Sequence, residues 1–212
     1  MFLIDELKEV IRRVYYIRHF GNDVGKNVSI NPFKSIIQSA SGSLLNDNIF
    51  VGNHFYLVGK VNIGKNVMIG PFVRILNGNH LFAVLGKSNF YLKPNQNIEK
   101  PITTIEDEVW IGANTTILNG STIFMGAVVG AGSVVVRDIP PFVIAAGNPC
   151  TARRRIFSDE RLKTHLQILG YQESLITDVI KLRQNLVGGL GIIDYSEKYE
   201  GCYNYELIVG IG

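Results

Sequence analysis

Four histidines and two cysteines are the side chains in this 212-residue sequence best suited to proton transfer or nucleophilic attack near neutral pH. Histidine has an unperturbed pKa of about 6.5, so at pH 7 it is mostly neutral and able to act as a base. His80 stands in Asn77-Gly78-Asn79-His80, followed by the aromatics Phe82, Phe90 and Tyr91 and by Pro94 and Pro101. His19 closes an N-terminal helical pattern, His165 lies in a C-terminal one, and His54 occupies a turn position of the repeat described next. Spacing alone leaves two readings of His80, a general base or a loop histidine without a task. A metal centre of three histidines is not expected, because only His54 and His80 lie in the repeat, at unsuitable positions. Cys150 and Cys202 cannot build a disulfide framework, which points to a reduced, cytoplasmic protein.

The elements that position His80 follow from a period of six. Leu45, Val51, Leu57, Ile63, Ile69 and Ile75 are six apart, and so are Ile105, Ile111, Ile117, Ile123, Val129 and Val135. The two runs share one register. The fifth position of each hexad is also restricted, from Ile49, Phe55 and Val61 to Ala127, Ser133 and Ile139. Glycine recurs at the second position (Gly52, Gly64, Gly70, Gly112, Gly130) and turn formers at the fourth (Asn48, Asn66, Asn114, Gly120, Gly126, Gly132). This period fits neither a helix nor a single flat strand. It fits a short strand and a tight turn wound around a three-sided prism, with aliphatics inside and coils about 4.8 Å apart. Val24, Ile30 and Ile36 keep the step out of phase, so a register slip is expected between Ile36 and Leu45. Residues 76–104 interrupt the register, and a long excursion from a rigid solenoid is commonly functional.

Composition agrees with a mainly β prism. Charged residues are 18%, apolar residues 46%, and mean hydropathy is +0.16. These values exclude a disordered chain, and no glycine recurs every third residue as collagen requires. A net charge of +3 is too weak to argue for nucleic acid. The uncharged run from Ile111 to Val136 is long enough for a membrane span. Its five glycines and the polar Asn114, Thr115, Asn119 and Ser133 argue against one. No basic start with an apolar signal core precedes Asp5-Glu6.

Open coil ends need covers. Leu3, Leu7, Ile11 and Val14 predict a helix over 4–18 that faces the first coil. Its other face carries Lys8, Arg12, Arg13 and Arg18, either solvated or weakly attracted to an anionic membrane surface or substrate. Ser158 predicts a cap for a helix through Gln167, stopped by Gly170. Leu175, Val179, Leu182 and Leu186 predict a second helix, ended by Gly188-Gly189, and the tail tyrosines 195, 199, 203 and 205 suggest interface packing. The organisation expected is a helical cap at 1–23, the β-helix at 24–150 with its loop at 76–104, and a helical extension and tail at 151–212.

Three stretches resemble the signature of hexapeptide-repeat acyltransferases. They are Pro101-Ile102-Thr103-Thr104-Ile105-Glu106-Asp107-Glu108-Val109-Trp110-Ile111-Gly112-Ala113-Asn114, Val129-Gly130-Ala131-Gly132-Ser133-Val134-Val135, and Ile139-Pro140-Pro141-Phe142-Val143-Ile144-Ala145-Ala146-Gly147-Asn148-Pro149-Cys150. The resemblance covers about residues 45–157 and is strongest to the maltose, galactoside and nodulation-factor O-acetyltransferases, with polysaccharide and xenobiotic acetyltransferases beside them. It implies a left-handed parallel β-helix, a homotrimer, and acetyl-CoA in the groove between neighbouring prisms, with no metal and neither cysteine as nucleophile. It implies His80 as the base that takes a proton from an acceptor hydroxyl. It further implies Trp110 at the acetyl and pantetheine end, Ala113 and Ala131 along the pantetheine arm, and Arg137 and Arg154 at the nucleotide phosphates. The loop of residues 77–100, with Asn79, Phe82 and Tyr91 as candidate contacts, is expected together with the C-terminal tail to choose a sugar, polysaccharide or lipopolysaccharide acceptor. Alternatives are N-acetylation of a nucleotide-linked amino sugar and acetylation of an antibiotic. Phe124 and Met125 depart from the small or charged residues usual in that hexad, and no acidic partner for His80 stands out beyond Glu106.

Overall fold

The structure, a computed structural model, describes residues 2–21, 24–38, 40–78, 84–92 and 101–187. The hexads form a three-sided parallel β-solenoid. Face one stacks Val28–Ser29, Ile49–Val51, Val67–Ile69, Trp110–Ile111, Val128–Val129 and Val143–Ala146, then ends on antiparallel Thr151–Arg155. Face two stacks Ile36–Gln38, Tyr56–Val58, Arg74–Leu76, Thr116–Leu118 and Val134–Val135. Face three stacks Leu44–Leu45, Val61–Ile63, Thr103–Ile105 and Thr122–Ile123, and Ile139 bridges to the last of these. All twelve first-position aliphatics are buried, and so are the fifth-position residues from Ile49 to Ile139. Each large aliphatic so buried contributes roughly 1.5–3 kcal/mol.

The fourth position is the left-handed corner. Asn48, His54, Asn66, Phe72, Glu108 and Asn114 all have φ between 57° and 62°. Asparagine tolerates this conformation because its short amide bonds locally. On the edge between faces three and one the amides also bond up the stack. Asn27 Nδ2 donates to Asn48 Oδ1 (3.1 Å), Asn48 Nδ2 to Asn66 Oδ1 (2.9 Å), and Asn66 Nδ2 to Glu108 Oε1 (2.6 Å).

The expected register slip is present and divided in two. Ser29 pairs with Phe50, Ile36 with Tyr56 and Leu44 with Asn62, so the offset falls from 21 to 20 to 18. One extra residue therefore sits before Ile36 and two sit after Gln38. The first of these turns Ile36 outward, 55% exposed, and puts Ile37 into the bore.

Helix α1 (Phe2–Phe20) starts earlier and ends later than predicted, and it packs on a different face. Tyr16 and Phe20 are buried, whereas Leu7, Ile11 and Val14 are exposed, and the side chain of Leu3 lies outside the described residues. The cause is the Tyr16 hydroxyl, which donates to Val28 O (3.0 Å) and accepts from Ile30 N (2.8 Å). That bond fixes the helix rotation on the first coil.

Helices α2 (Asp159–Ile168) and α3 (Glu173–Val187) form a hairpin with its own small core of Met125, Phe142, Leu162, Leu166, Ile176 and Val179. Ser158 caps α2 by accepting from Arg161 N (3.3 Å), and Gly170 ends it at φ +82°. Met125, the departure noted in the repeat, is the hairpin's anchor on the solenoid. The buried face of α3 is Ile176, Val179, Arg183 and Val187, not the Leu175, Leu182 and Leu186 stripe. An apolar count passes over this face because Arg183 is its centre. Arg183 is fully buried, donates Nη1 to Phe157 O (2.9 Å) and pairs through Nη2 with Asp159. Burial raises the Asp159 carboxyl, but hydrogen bonds from Gln184 and Arg183 outweigh it and hold the group below its ordinary value. Gly188, Gly189 and the tail tyrosines lie outside the described residues.

Candidate active site

The excursion leaves the solenoid after Leu76 on face two and rejoins it at Thr103 on face three. Asn77 ties the two ends together. It is buried, donates Nδ2 to Lys60 O, and accepts from the Thr103 hydroxyl through Oδ1. Its backbone N–H bonds Val58 O (2.8 Å), and a Cβ on Gly59 would come within 2.7 Å of Asn77 Cβ, so glycine makes room for the clamp. Sequence reading missed this pair. The signal was there, because Thr103 is the fifth position of the hexad before Ile105. Asn79, His80 and Phe82 lie outside the described residues. Tyr91 is exposed in the short turn Asn89–Tyr91, edge-on to Phe90 at 5.1 Å.

The other three histidines are packed on rings. His19 lies 4.5 Å from Tyr15, His54 stacks on Phe72 at 4.7 Å, and His165 sits 4.9 Å from Phe157. Burial, with the nearby Arg18 charge second, lowers the His19 pKa. Cys150 is buried, and burial pushes its thiol up despite Ser133 and Arg153 nearby, so thiolate chemistry is disfavoured there. Glu106 lies at the opposite end of Thr103–Ile105 from the excursion and accepts from Met125 N at 2.9 Å. Burial raises its pKa, the Met125 bond opposes that, and Asp107 adds to it. Its carboxylate serves the corner.

Trp110 and Arg154 lie in one outward row of face one. Ladder pairing aligns Ser29, Phe50, Met68, Trp110, Val128, Ile144 and Arg154 across successive strands. Trp110 and Arg154 are half-buried, Phe50 and Met68 exposed. Beside this row, the edge between faces one and two is lined by Gly52, Gly70, Gly112 and Gly130. An added Cβ at Gly70 would meet Ala113 N at 2.6 Å, and at Gly112 it would meet Ala131 N at 2.5 Å. The glycines thus let coil stack directly on coil, and Ala113 (half-buried) and Ala131 (exposed) follow them on the open edge. A slim chain such as pantetheine fits a track of this kind, with small side chains and peptide groups along it. Arg153 Nε donates to Ala146 O (3.2 Å) beneath the same face.

The structure groups Trp110, Ala113, Ala131 and Arg154, and it separates Arg137 from them. Arg137 is exposed on the edge between faces two and three, the edge from which the excursion departs. In a three-sided prism that edge is opposite face one. Among the described residues no cluster of His, Cys, Asp and Glu could hold a metal ion, and no helix is long and apolar enough to cross a membrane.

No family model matches the chain. The galactoside O-acetyltransferase of Escherichia coli is 35% identical over 156 residues, which cover 70% of this chain and 70% of that protein. The galactoside O-acetyltransferase of Lactococcus lactis is 35% identical over 147 residues, 69% of this chain and 61% of that one. The chain spans 61% of the length of a Saccharomyces cerevisiae relative to which it is 40% identical over 127 residues. The structure of a hexapeptide-repeat containing acetyltransferase from Vibrio cholerae, complexed with acetyl coenzyme A, matches with a TM-score of 0.52 at 27% identity, covering 71% of this chain and 79% of that one.

Proposed function

The chain belongs to the hexapeptide-repeat acetyltransferases, and from that premise we propose that it transfers the acetyl group of acetyl-CoA to a hydroxyl of a sugar or glycan precursor. The observation that carries the reading is the glycine-lined edge beside the Trp110–Arg154 row, a track for a long thin co-substrate with a phosphate-binding cation at one end. Acetyl-CoA supplies the activated thioester. Ala113 and Ala131 offer backbone groups to the pantetheine arm, Trp110 lines its reactive end, and Arg154 meets the nucleotide phosphates. His80 takes the proton of the acceptor hydroxyl as the hydroxyl oxygen attacks the acetyl carbonyl, backbone N–H groups stabilise the oxyanion, and its collapse breaks the thioester C–S bond and releases the CoA thiolate, to which His80 returns the proton. Asn79, Phe82 and Tyr91 contact the acceptor.

The reading includes a homotrimer. Within one chain the root of the His80 excursion lies opposite face one, and in this reading a second copy brings base and track together. The exposed apolar residues Leu7, Val10, Val14 and Ile17 of α1 supply further surface for such contacts. In that assembly Arg137 serves a neighbour's nucleotide. A reduced, cytoplasmic setting accords with the inert, buried Cys150.

The test is CoA release with a panel of free and glycosidic sugars. His80→Ala is expected to lower kcat by about 10²–10⁴-fold, the usual worth of a general base, with acetyl-CoA affinity retained. An unchanged rate in this variant sinks the assignment.

A further inference from the structure

We infer that Arg74 and the corner beside it form a subsite for a carboxylate on the sugar acceptor, an inference that rests on the acetyl-transfer reading above. Arg74 points outward from the strand Arg74–Leu76 of face two, exposed, and its Nη1 donates to Asn114 Oδ1 at 3.1 Å. Among the described residues that amide is its hydrogen-bond partner, and no carboxylate pairs with it. The bond holds the guanidinium against the edge between faces one and two. It leaves Nε and Nη2 as a parallel fork, the geometry that takes a carboxylate in two hydrogen bonds. Because Asn114 is neutral, the positive charge is not cancelled, and because the side chain is tethered, less of its freedom is lost on binding.

The surroundings favour an acid carried on a sugar. Face two and its edge with face one comprise residues 30–38, 52–58, 70–76, 112–118 and 130–136, and none of them is Asp or Glu. The corner column of that edge runs His54, Phe72, Asn114, coil on coil, with Phe72 N bonded to Asn53 O and Asn114 N to Pro71 O. His54 stacks on Phe72 with ring centroids 4.7 Å apart and planes 14° from parallel, which steadies the phenyl ring, and Phe72 is still 48% exposed. An aromatic ring next to a guanidinium suits a pyranose that bears an acid. Tyr56 and Thr116 flank Arg74 on the adjoining strands, half-buried, with hydroxyls able to bond the remaining sugar oxygens.

The subsite adjoins the reacting atoms of the proposed function. Asn114 follows Ala113, where the pantetheine arm is placed, and shares its coil with Trp110, where the acetyl group is placed. Phe72 belongs to the coil of Met68, one strand beyond Trp110 on the side away from Arg154, about 4.8 Å further at the strand spacing. An acceptor that rests on Phe72 and Arg74 therefore presents a hydroxyl to the reactive end of the track. The Arg74 fork bonds the acid group of that sugar or of the unit joined to it. A single guanidinium in neutral surroundings matches the one charge of a carboxylate better than the charge of nearly two on a phosphate monoester.

The experiment titrates methyl β-glucuronide, methyl β-glucoside and glucose 1-phosphate into the full-length protein and follows equilibrium binding by NMR. It compares the protein with Arg74→Gln, Arg74→Lys and Lys34→Gln, the last removing equal charge from the same edge two coils away. The glucuronide is expected to bind about tenfold tighter than the glucoside, the usual worth of a hydrogen bond to a charged group. Arg74→Gln should abolish that preference and Lys34→Gln should keep it whole. Arg74→Lys should keep part of it, since an ammonium retains the charge and loses the fork. In acetyl transfer, Arg74→Gln should raise the KM for an acidic acceptor and leave that for acetyl-CoA unchanged. Equal binding of glucuronide and glucoside overturns the proposal, and so does an equal loss in Arg74→Gln and Lys34→Gln, which would report long-range attraction only. Tighter binding of glucose 1-phosphate than of glucuronide overturns the carboxylate assignment. A raised KM for acetyl-CoA in Arg74→Gln also overturns it and moves Arg74 to the co-substrate. Transfer to sugars without preference for the acidic one overturns the subsite and leaves the proposed activity in place. Acid-selective binding that depends on Arg74, with no transfer to any sugar, supports the subsite and overturns the activity.

Discussion

Replacing Gly112 with alanine tests whether the glycine-lined edge holds the coils at their spacing. The new Cβ would lie 2.5 Å from Ala131 N, 2.9 Å from Ala131 Cα and 2.9 Å from Val129 O. All three are backbone atoms of the next coil, so no side chain can swing away. Relief needs a shift of most of an ångström, which stretches the 2.7 Å bond from Gly112 N to Val129 O. Overpacking of this kind costs about 1–3 kcal/mol, and a weakened hydrogen bond adds about 1, giving about 2–4 kcal/mol. Gly132, one coil on along the same edge, is the control. A Cβ there meets nothing within 4 Å, but φ is +73°. Alanine loses about 1–2 kcal/mol in the left-handed region and regains about 0.4–1 from a stiffer unfolded chain, for a net loss near 1 kcal/mol. Gly132→Asn should lose less still, since Asn48, Asn66 and Asn114 take the same corner conformation. Urea unfolding followed by circular dichroism measures all three. On the proposed placement of the pantetheine arm, Gly112→Ala should also weaken acetyl-CoA binding, because Ala113 and Ala131 move apart with the coils. Equal losses for Gly112→Ala and Gly132→Ala would refute the close-packing argument.

Three further outcomes follow from buried polar groups. Asn77→Ala strands Lys60 O and the Thr103 hydroxyl, each unsatisfied buried group costing about 1–3 kcal/mol. With His80, the proposed base, three residues on, kcat should fall further than acetyl-CoA affinity, and a change in affinity alone would count against the clamp. Asp159→Asn leaves the buried Arg183 without its counter-charge, a loss of about 3 kcal/mol. The Asp159 pKa is depressed in the fold, so its contribution is present above the unfolded value of about 3.9 and is lost as pH falls through the folded value. The gap in urea midpoint between the two proteins should therefore be full at pH 6 and close in strongly acidic buffer. Glu106→Gln has the opposite sign, since burial raises the Glu106 pKa and its charged form is penalised as pH rises. The amide still accepts from Met125 N, so the urea midpoint should rise at pH 7 and the gain should shrink toward pH 4. A loss of stability that is the same at both pH values would contradict this.

What the sequence disclosed depended on how local the physics was. The prism was legible because its core is a column of like residues. No single position has to be decisive when Leu57, Ile75, Ile117 and Val135 stack as a ladder, each 0% exposed. The corners were legible for the same reason, since a left-handed residue recurs every sixth place. The helices were legible in extent but not in their buried faces, because those faces are set by single polar bonds. Tyr16 orients α1 through its hydroxyl, and Arg183 centres the buried face of α3 through Asp159. Apolar periodicity weighs Leu7, Val14, Leu175 and Leu186 above both. Met125 shows the converse, because a residue that broke the repeat turned out to anchor the hairpin.

The site divides along the same line. The resemblance to hexapeptide-repeat acyltransferases pointed to Trp110, Ala113, Ala131 and Arg154, and their common face and edge follow from the ladder register. The resemblance could not tell that Arg137 falls on another edge, because residues 17 apart in sequence are close or distant according to which face each strand joins. Counting strands resolves it. Leu76 ends a strand of face two and Thr103 begins one of face three, so the excursion is rooted at the vertex opposite Trp110. No rearrangement of one rigid prism brings that vertex to face one while its inward ladder stays packed. On the proposed reading a base on the excursion and a co-substrate on face one are brought together across two copies, which ties the proposed trimer to the proposed role of His80. A monomeric variant that kept full acetyl transfer would therefore overturn both.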